Sequence, residues 1–153
     1  MAFPKSRPQY TFDALLQLKD AGLLAADGEW QVGGVDRILD VGTGLFQADC
    51  VIDVTAMEIA SGDESYTFVI QGSNSASFAS GIATLAEYTV GDASTIGTAQ
   101  GTSGVDADDA PGRFVFGVRN EKNGTYYQYL RGWLSVAGAI ATGINFQAYL
   151  SKH

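Results

Sequence analysis

Beyond Glu29, hydrophobic and polar positions alternate with a period of two over most of the chain. That spacing places successive side chains on opposite faces of a strand. Trp30, Val32 and Val35 open the pattern, and Arg37 to Val41 continues it until Gly42 to Gly44 break it. Phe46 to Ile59 reads as a long strand, with a bulge or bend around Ala56, Met57 and Glu58. A turn at Gly62 and Asp63 leads to Tyr66, Phe68 and Ile70 alternating with Thr67, Val69 and Gln71. A polar loop from Gly72 to Ser77 precedes another strand over Ile82 to Val90. Later, Phe114, Phe116 and Val118 alternate with Val115, Gly117 and Arg119. Asn123 and Gly124 form a hairpin signal because both tolerate positive φ. A β-rich run covers Thr125 to Val136, and a turn at Ala137 and Gly138 leads to Ile144 to Leu150, which alternates strictly. Strands separated by Gly, Asn, Asp and Ser turns, without amphipathic helices between them, predict an all-β sandwich or jelly roll.

The remainder is less regular. Residues 1–10 carry Pro4, Pro8, Lys5 and Arg7 without periodicity and read as an extended arm. Over 11–28, Phe12, Leu15 and Leu16 fit a short helix, while Leu16 and Leu18 fit a strand, so helix and arm both remain open; Ala25 to Gly28 is a turn. The Gly-rich, acidic stretch 91–112 reads as one long surface loop within the sandwich, because the strands after it are needed to complete the sheet. At 153 residues, 46% of them hydrophobic, the chain has enough apolar content for a single domain spanning 1–153 with its own core.

Composition narrows the chemistry. A net charge of −8 argues against a nucleic-acid partner, whose phosphates repel such a surface. No apolar run approaches the ~20 residues of a membrane helix, and the first residues lack the apolar stretch of a signal peptide. Cys50 shares a strand face with Ile52 and Val54 and reads as a small buried hydrophobe. The sole histidine is His153, so a Ser–His or Cys–His pair and a His-based metal site are not expected. Asp106, Asp108 and Asp109 offer oxygen ligands of the kind Ca²⁺ takes, but without an EF-hand spacing they read as a solvated loop. Asp40, Asp49, Asp53 and Glu58 contain the ingredients of a glycosidase carboxylate pair; surface solvation accounts for them as well.

The aromatic residues carry more. Tyr127, Tyr129, Arg131 and Trp133 share one alternation phase; Tyr126, Leu130, Leu134 and Val136 share the other. The aliphatic set should face the core. The Tyr/Arg/Trp stripe then either meets a partner, since these residue types dominate interface hot spots, or packs beneath the N-terminal segment.

In their order along the chain, Phe12 to Asp20, Ile38 to Gly42, Cys50 to Val54, Phe68 to Ser73 and the finish from Tyr126 to Leu150 resemble a family of phage structural proteins. The chain is similar to the capsid cement (decoration) proteins found on a Bordetella phage and on many environmental podoviruses. The resemblance covers nearly the whole chain and rests on strand patterns. It implies a jelly-roll-like β-sandwich with an extended N-terminal arm, assembled as a dimer or trimer. It also implies a location on the virion's outer capsid surface, where the protein clamps neighbouring major capsid proteins of an HK97-type shell. The expected partners are the major capsid protein and further copies of itself, with no membrane, nucleic acid, cofactor or catalysis. The candidate interface residues are Lys5 and Arg7 on the arm and Tyr127, Tyr129, Arg131 and Trp133 on the stripe. The alternative is a carbohydrate-binding jelly roll using Tyr127, Tyr129 and Asn145. A carboxylate glycosidase on a sandwich fold is a third reading.

Overall fold

In the computed structural model, residues 10–91 and 110–152 are described. A 3₁₀ turn at Ala14–Leu16 comes first. The strands follow in chain order: β1 (Gln17–Lys19), β2 (Leu23–Leu24), β3 (Gly28–Glu29), β4 (Gln31–Val32), β5 (Val35–Asp36), β6 (Leu39–Asp40), β7 (Gln47–Met57), β8 (Ser65–Ser73), β9 (Ala83–Gly91), β10 (Gly112–Arg119), β11 (Glu121–Lys122), β12 (Thr125–Tyr126), β13 (Tyr129–Ala137) and β14 (Ile144–Lys152). Among the described residues there is no α-helix. Over 11–28 the helix alternative reduces to that single 3₁₀ turn, capped by the Asp13 carboxylate on the Leu15 N–H at 2.9 Å, followed by the strands β1 and β2. The ends of the 91–112 stretch belong to strands, with β9 running to Gly91 and β10 starting at Gly112; its interior from 92 to 109 lies outside the described residues.

Two antiparallel sheets pack face to face. The first has the order β1-β14-β7-β10, with β2 also on β14; the second has the order β3-β13-β8-β9, with β6 also on β13. Gln17 pairs with Tyr149, so the first sheet joins the two ends of the described chain. The alternation read from the sequence decides which side chains face inward. Cys50, Ile52 and Val54 from β7 meet Tyr66, Phe68 and Ile70 from β8, Leu130 and Leu134 from β13, and Phe146, Ala148 and Leu150 from β14. Burial holds the Cys50 thiol protonated by pushing its pKa well up. The irregularity expected near Ala56 falls one residue earlier: Asn145 pairs with Ala56 and Phe146 with Val54, leaving Thr55 bulged.

A T-shaped aromatic cluster fills the centre of the core. Trp30, Phe68 and Phe146 have ring centroids 5.0–6.2 Å apart. Trp30 fits because its ring lies across Gly132, an inward-facing position of β13, and the Trp30 backbone N–H donates to the Gly132 carbonyl at 3.0 Å. The side chain of Trp30 supplies the bulk that Gly132 lacks.

Three polar groups tie the loops to this core. Asn120 is fully buried. Its side chain accepts from the Phe46 N–H at 2.7 Å and donates to the carbonyls of Gly44 at 2.8 Å and Tyr127 at 3.1 Å. Glu58 accepts from three successive N–H groups, those of Ala141, Thr142 and Gly143, at 2.9, 2.7 and 2.8 Å. Those donors, Gly143 foremost, hold its carboxyl below the usual carboxylate range. Lys19, 4% exposed, donates to the carbonyls of Asp20, Gly22 and Phe146 at 2.7–2.9 Å, with its ammonium 4.4 Å from the centre of the Phe146 ring.

Burial lowers the Lys19 pKa to about 8 from an ordinary 10.5. Between those values the unfolded chain binds more protons than the folded one, so Lys19 makes stability rise with pH, by up to about 3 kcal/mol across the window. The rise is absent below pH 8, where both states are protonated. Cys50 and Tyr66, whose pKa values burial raises, act in the opposite direction above about pH 9–10. Urea midpoints of the wild type and Lys19→Met at pH 7 and pH 10 should therefore diverge in the wild type's favour, because the Cys50 and Tyr66 contributions cancel in the comparison. A constant gap would refute this assignment.

Candidate interface

The stripe predicted on β13 is present but shorter than the sequence suggested. Tyr129, Arg131 and Trp133 face away from the core while Leu130 and Leu134 face into it. The β-rich run is interrupted at Tyr127 and Gln128, and this interruption changes the grouping on both faces. Tyr126 belongs to the β11–β12 hairpin and is 45% exposed, so it does not share the core phase of Leu130 and Leu134. Asn123 and Gly124 make that hairpin's turn with φ of 53° and 84°, as expected. Tyr127 is held by the backbone of Asn120 and packs over Gly72, where a β-carbon would fall 2.9 Å from the Tyr127 Cβ. It is therefore separated from the stripe.

Across the second sheet, Arg131 lies opposite Gln71 and Trp133 lies between Val69 and Glu29. The Arg131 side chain is 13% exposed. Its Nε donates to Gln71 Oε1 at 2.8 Å, and Nη1 stands 3.5 Å from Glu29 Oε2. The guanidinium lies 4.4 Å from the centre of the Phe78 ring and 5.2 Å from that of Trp133, so two aromatic faces and one carboxylate hold it. Burial raises the Glu29 carboxyl above its ordinary range, and Arg131 opposes that rise. The stripe is thus partly covered, and its cover is the loop carrying Phe78. The N-terminal segment instead crosses the first sheet: Phe12 packs edge-on against Tyr149 at 5.4 Å, and the Thr11 N–H donates to Ser151 Oγ at 3.3 Å. Phe78, Glu29 and Gln71 escaped the sequence reading. The available signal was a lone phenylalanine in an otherwise small and polar loop, Gly72 to Gly81.

Three of the candidate carboxylates, Asp40, Asp53 and Glu58, are engaged by partners within the fold. Asp53 sits in one row with Arg113 and Gln147 across three strands and accepts from both, at 2.7 and 3.4 Å. The Arg113 hydrogen bond is the main cause of its lowered pKa. Asp40 accepts from the Gly42 N–H and from Gln128. Glu58 is engaged by three backbone donors, as described above. Among the described residues, no cluster of three or more His, Cys, Asp or Glu forms a metal-binding group. The carbohydrate-binding set is not assembled: Asn145 lies on the first sheet with its Oδ1 on the Gly22 N–H at 2.9 Å, whereas Tyr129 lies on the second. Lys5, Arg7, Asp106, Asp108, Asp109 and His153 lie outside the described residues.

The large apolar side chains that do reach solvent lie elsewhere, with Leu15 at 77%, Val35 at 68% and Phe12 and Leu23 at 54% exposure. Leu23 rims a shallow cavity of about 490 Å³ whose other apolar walls are Ala56, Met57, Ile59 and Ala60. No protein-family model matches this chain, and a search of curated proteins also returns no match.

Proposed function

We propose that this protein is a capsid cement protein: a binding module that attaches to the outside of a phage head, joins neighbouring capsid subunits and performs no chemistry. One observation carries the reading. The motifs of the resemblance at Cys50 to Val54, Phe68 to Ser73 and Tyr126 to Leu150 coincide with β7, β8, β13 and β14, the central strands of the two packed sheets. The topology supports the same reading. Take the eight principal strands in chain order, β1, β3, β7, β8, β9, β10, β13 and β14, as one to eight. The sheets then run 1-8-3-6 and 2-7-4-5, the interleaved order of a jelly roll built from two Greek keys.

In this reading the half-covered stripe supplies the adhesive face, and an acidic module of net charge −8 seeks basic ground on the capsid. Self-association into a dimer or trimer makes attachment multivalent, so modest single contacts add up. The arm with Lys5 and Arg7 is the candidate clamp.

The deciding experiment adds purified protein to expanded phage heads. It should bind saturably at symmetry-related positions and raise the temperature at which the heads burst. At ~100 times the dissociation constant, mass action contributes about 2.7 kcal/mol per site. Heads that burst at the same temperature with and without it would overturn the reading. At residue level, Tyr129→Ala combined with Trp133→Ala should lower retention on heads at least about tenfold, as expected for anchor residues. Both side chains point away from the core, so the thermal melt should survive. Unchanged retention would remove the stripe from the interface.

A further inference from the structure

The segment between β8 and β9 returns along the outer face of the second sheet. Ser73 Oγ accepts from the Ser75 N–H at 3.0 Å and donates to the Ser80 carbonyl at 2.7 Å, which pins the two ends together. Gly81, with φ of 63°, supplies the bend into β9. Between these ends the loop bonds mainly to itself: Phe78 N–H to the Ser75 carbonyl at 3.0 Å, Ala79 N–H to Ser75 Oγ at 3.3 Å, and Ser75 Oγ with Ser77 Oγ at 3.3 Å. Asn74 fastens the first end to the chain between β12 and β13, its Oδ1 accepting from the Gln128 N–H at 2.9 Å and its Nδ2 donating to the Tyr126 carbonyl at 3.0 Å; beyond Asn74, what holds the loop on the sheet is the Phe78 ring. Phe78 is 5% exposed yet outside the main core, and it covers the Arg131 guanidinium. Its φ is 56°, a left-handed conformation that a bulky side chain adopts only when its surroundings impose it. Val69, opposite Trp133 on the same outward face, is buried as well.

We propose that residues 75–80 form a strap that lifts from the sheet as a unit, hinged at Asn74 and Gly81, with Phe78 as its plug. The guanidinium thereby uncovered accepts an aromatic side chain of a partner in the place of Phe78. A loop bonded internally can move without breaking the β8 and β13 ladders. Lifting it also releases the backbone strain at Phe78, which lowers the cost of opening. The shape of the vacated position is known from its present occupant: an aromatic ring stacked on Arg131. The inference stands apart from the capsid reading, because it concerns the isolated protein.

Phe78→Gly tests it, since glycine adopts a φ of 56° freely and only the plug is lost. Trp30 is fully buried, so acrylamide quenching reports mainly on Trp133. Losing the plug frees the guanidinium that lies 5.2 Å from the centre of the Trp133 ring, so quenching should rise at least about twofold in Phe78→Gly, and millimolar N-acetylphenylalaninamide should reverse it by occupying the vacated stack. In the wild type, the amides of Phe78 and Ala79 should exchange with solvent about 100-fold faster than those of Ile70 and Trp133, through opening of the strap alone. Exchange of the strap only at the rate of the sheet, or unchanged quenching in the variant, would overturn the strap. No effect of the amide on a variant whose quenching has risen would overturn the aromatic occupant. Should Phe78→Gly fail to fold, the wild-type exchange rates decide the matter.

Discussion

Replacing Gly132 with alanine will destabilise the protein by at least about 3 kcal/mol, lowering its melting temperature by roughly 6–12 °C for a chain of this size. The added β-carbon would lie within 2.1 Å of two ring carbons of Trp30, a fully buried side chain that cannot retreat. Trp30 is flanked by Phe68 and Phe146, and its backbone is tied to Gly132 itself, so relief requires moving β3 away from β13. Overpacking usually costs ~1–3 kcal/mol when neighbours can adjust; here the neighbour is a rigid ring inside an aromatic cluster. Differential scanning calorimetry gives the answer directly. A melting temperature within about 2 °C of wild type would show that the indole moves aside easily and that the cluster is loosely packed.

Asn120→Ala should cost about 3–4 kcal/mol. One side chain satisfies the Phe46 N–H and the carbonyls of Gly44 and Tyr127, so truncation leaves three polar backbone groups without that partner at the entry to β7 and beside the β11–β12 hairpin. Asn120→Asp separates the donor and acceptor roles. The carboxylate keeps the bond from Phe46 but faces two carbonyl oxygens without a proton to offer. It should be at least as destabilised at neutral pH and partly recover on acidification, when the protonated form donates again. Chemical denaturation of both variants at pH 7 and pH 4 checks this. An alanine variant within about 1 kcal/mol of wild type would mean that water replaces the amide without loss.

The parts of this fold legible in the sequence are those where one strand's own alternation decides the outcome. Leu130 and Leu134 face inward, Arg131 and Trp133 outward, and Cys50 lies with Ile52 and Val54 because a two-residue period admits no other arrangement once one face is buried. Asn123 and Gly124 were readable because their backbone conformation is a local property. What escaped depends on partners distant along the chain. Lys19 looks like a surface residue until the Phe146 carbonyl and ring, 127 residues away, enclose it. Gly132 looks like a weak point in a strand until Trp30 lies across it. Of the two covers that the sequence leaves open for the stripe, a partner or the N-terminal segment, the second is not what the fold uses. A polar loop with a single phenylalanine provides the cover instead, because that ring gains both burial and a guanidinium to stack on. The interruption at Tyr127 and Gln128 was hidden as well, since the pull of Asn120 on Tyr127 leaves no mark on periodicity.

The place of β14 determines when this molecule can exist during synthesis. β14 lies in the interior of the first sheet, between β1 and β7, and is the last strand described. Until β14 has emerged from the ribosome, β7 has one unpaired edge and the inward faces of Cys50, Ile52 and Val54 lack Phe146, Ala148 and Leu150. β1 must likewise wait for a partner more than a hundred residues downstream. A nascent chain therefore carries a long, β-rich, partly apolar edge that only β14 can close. Such sequence-distant pairing places folding in the slow range of milliseconds to seconds. The exposed interval is also when neighbouring chains on one messenger can pair wrongly, so the yield of folded protein in the cell will depend more on how β14 is delivered than on the stability of the finished sandwich.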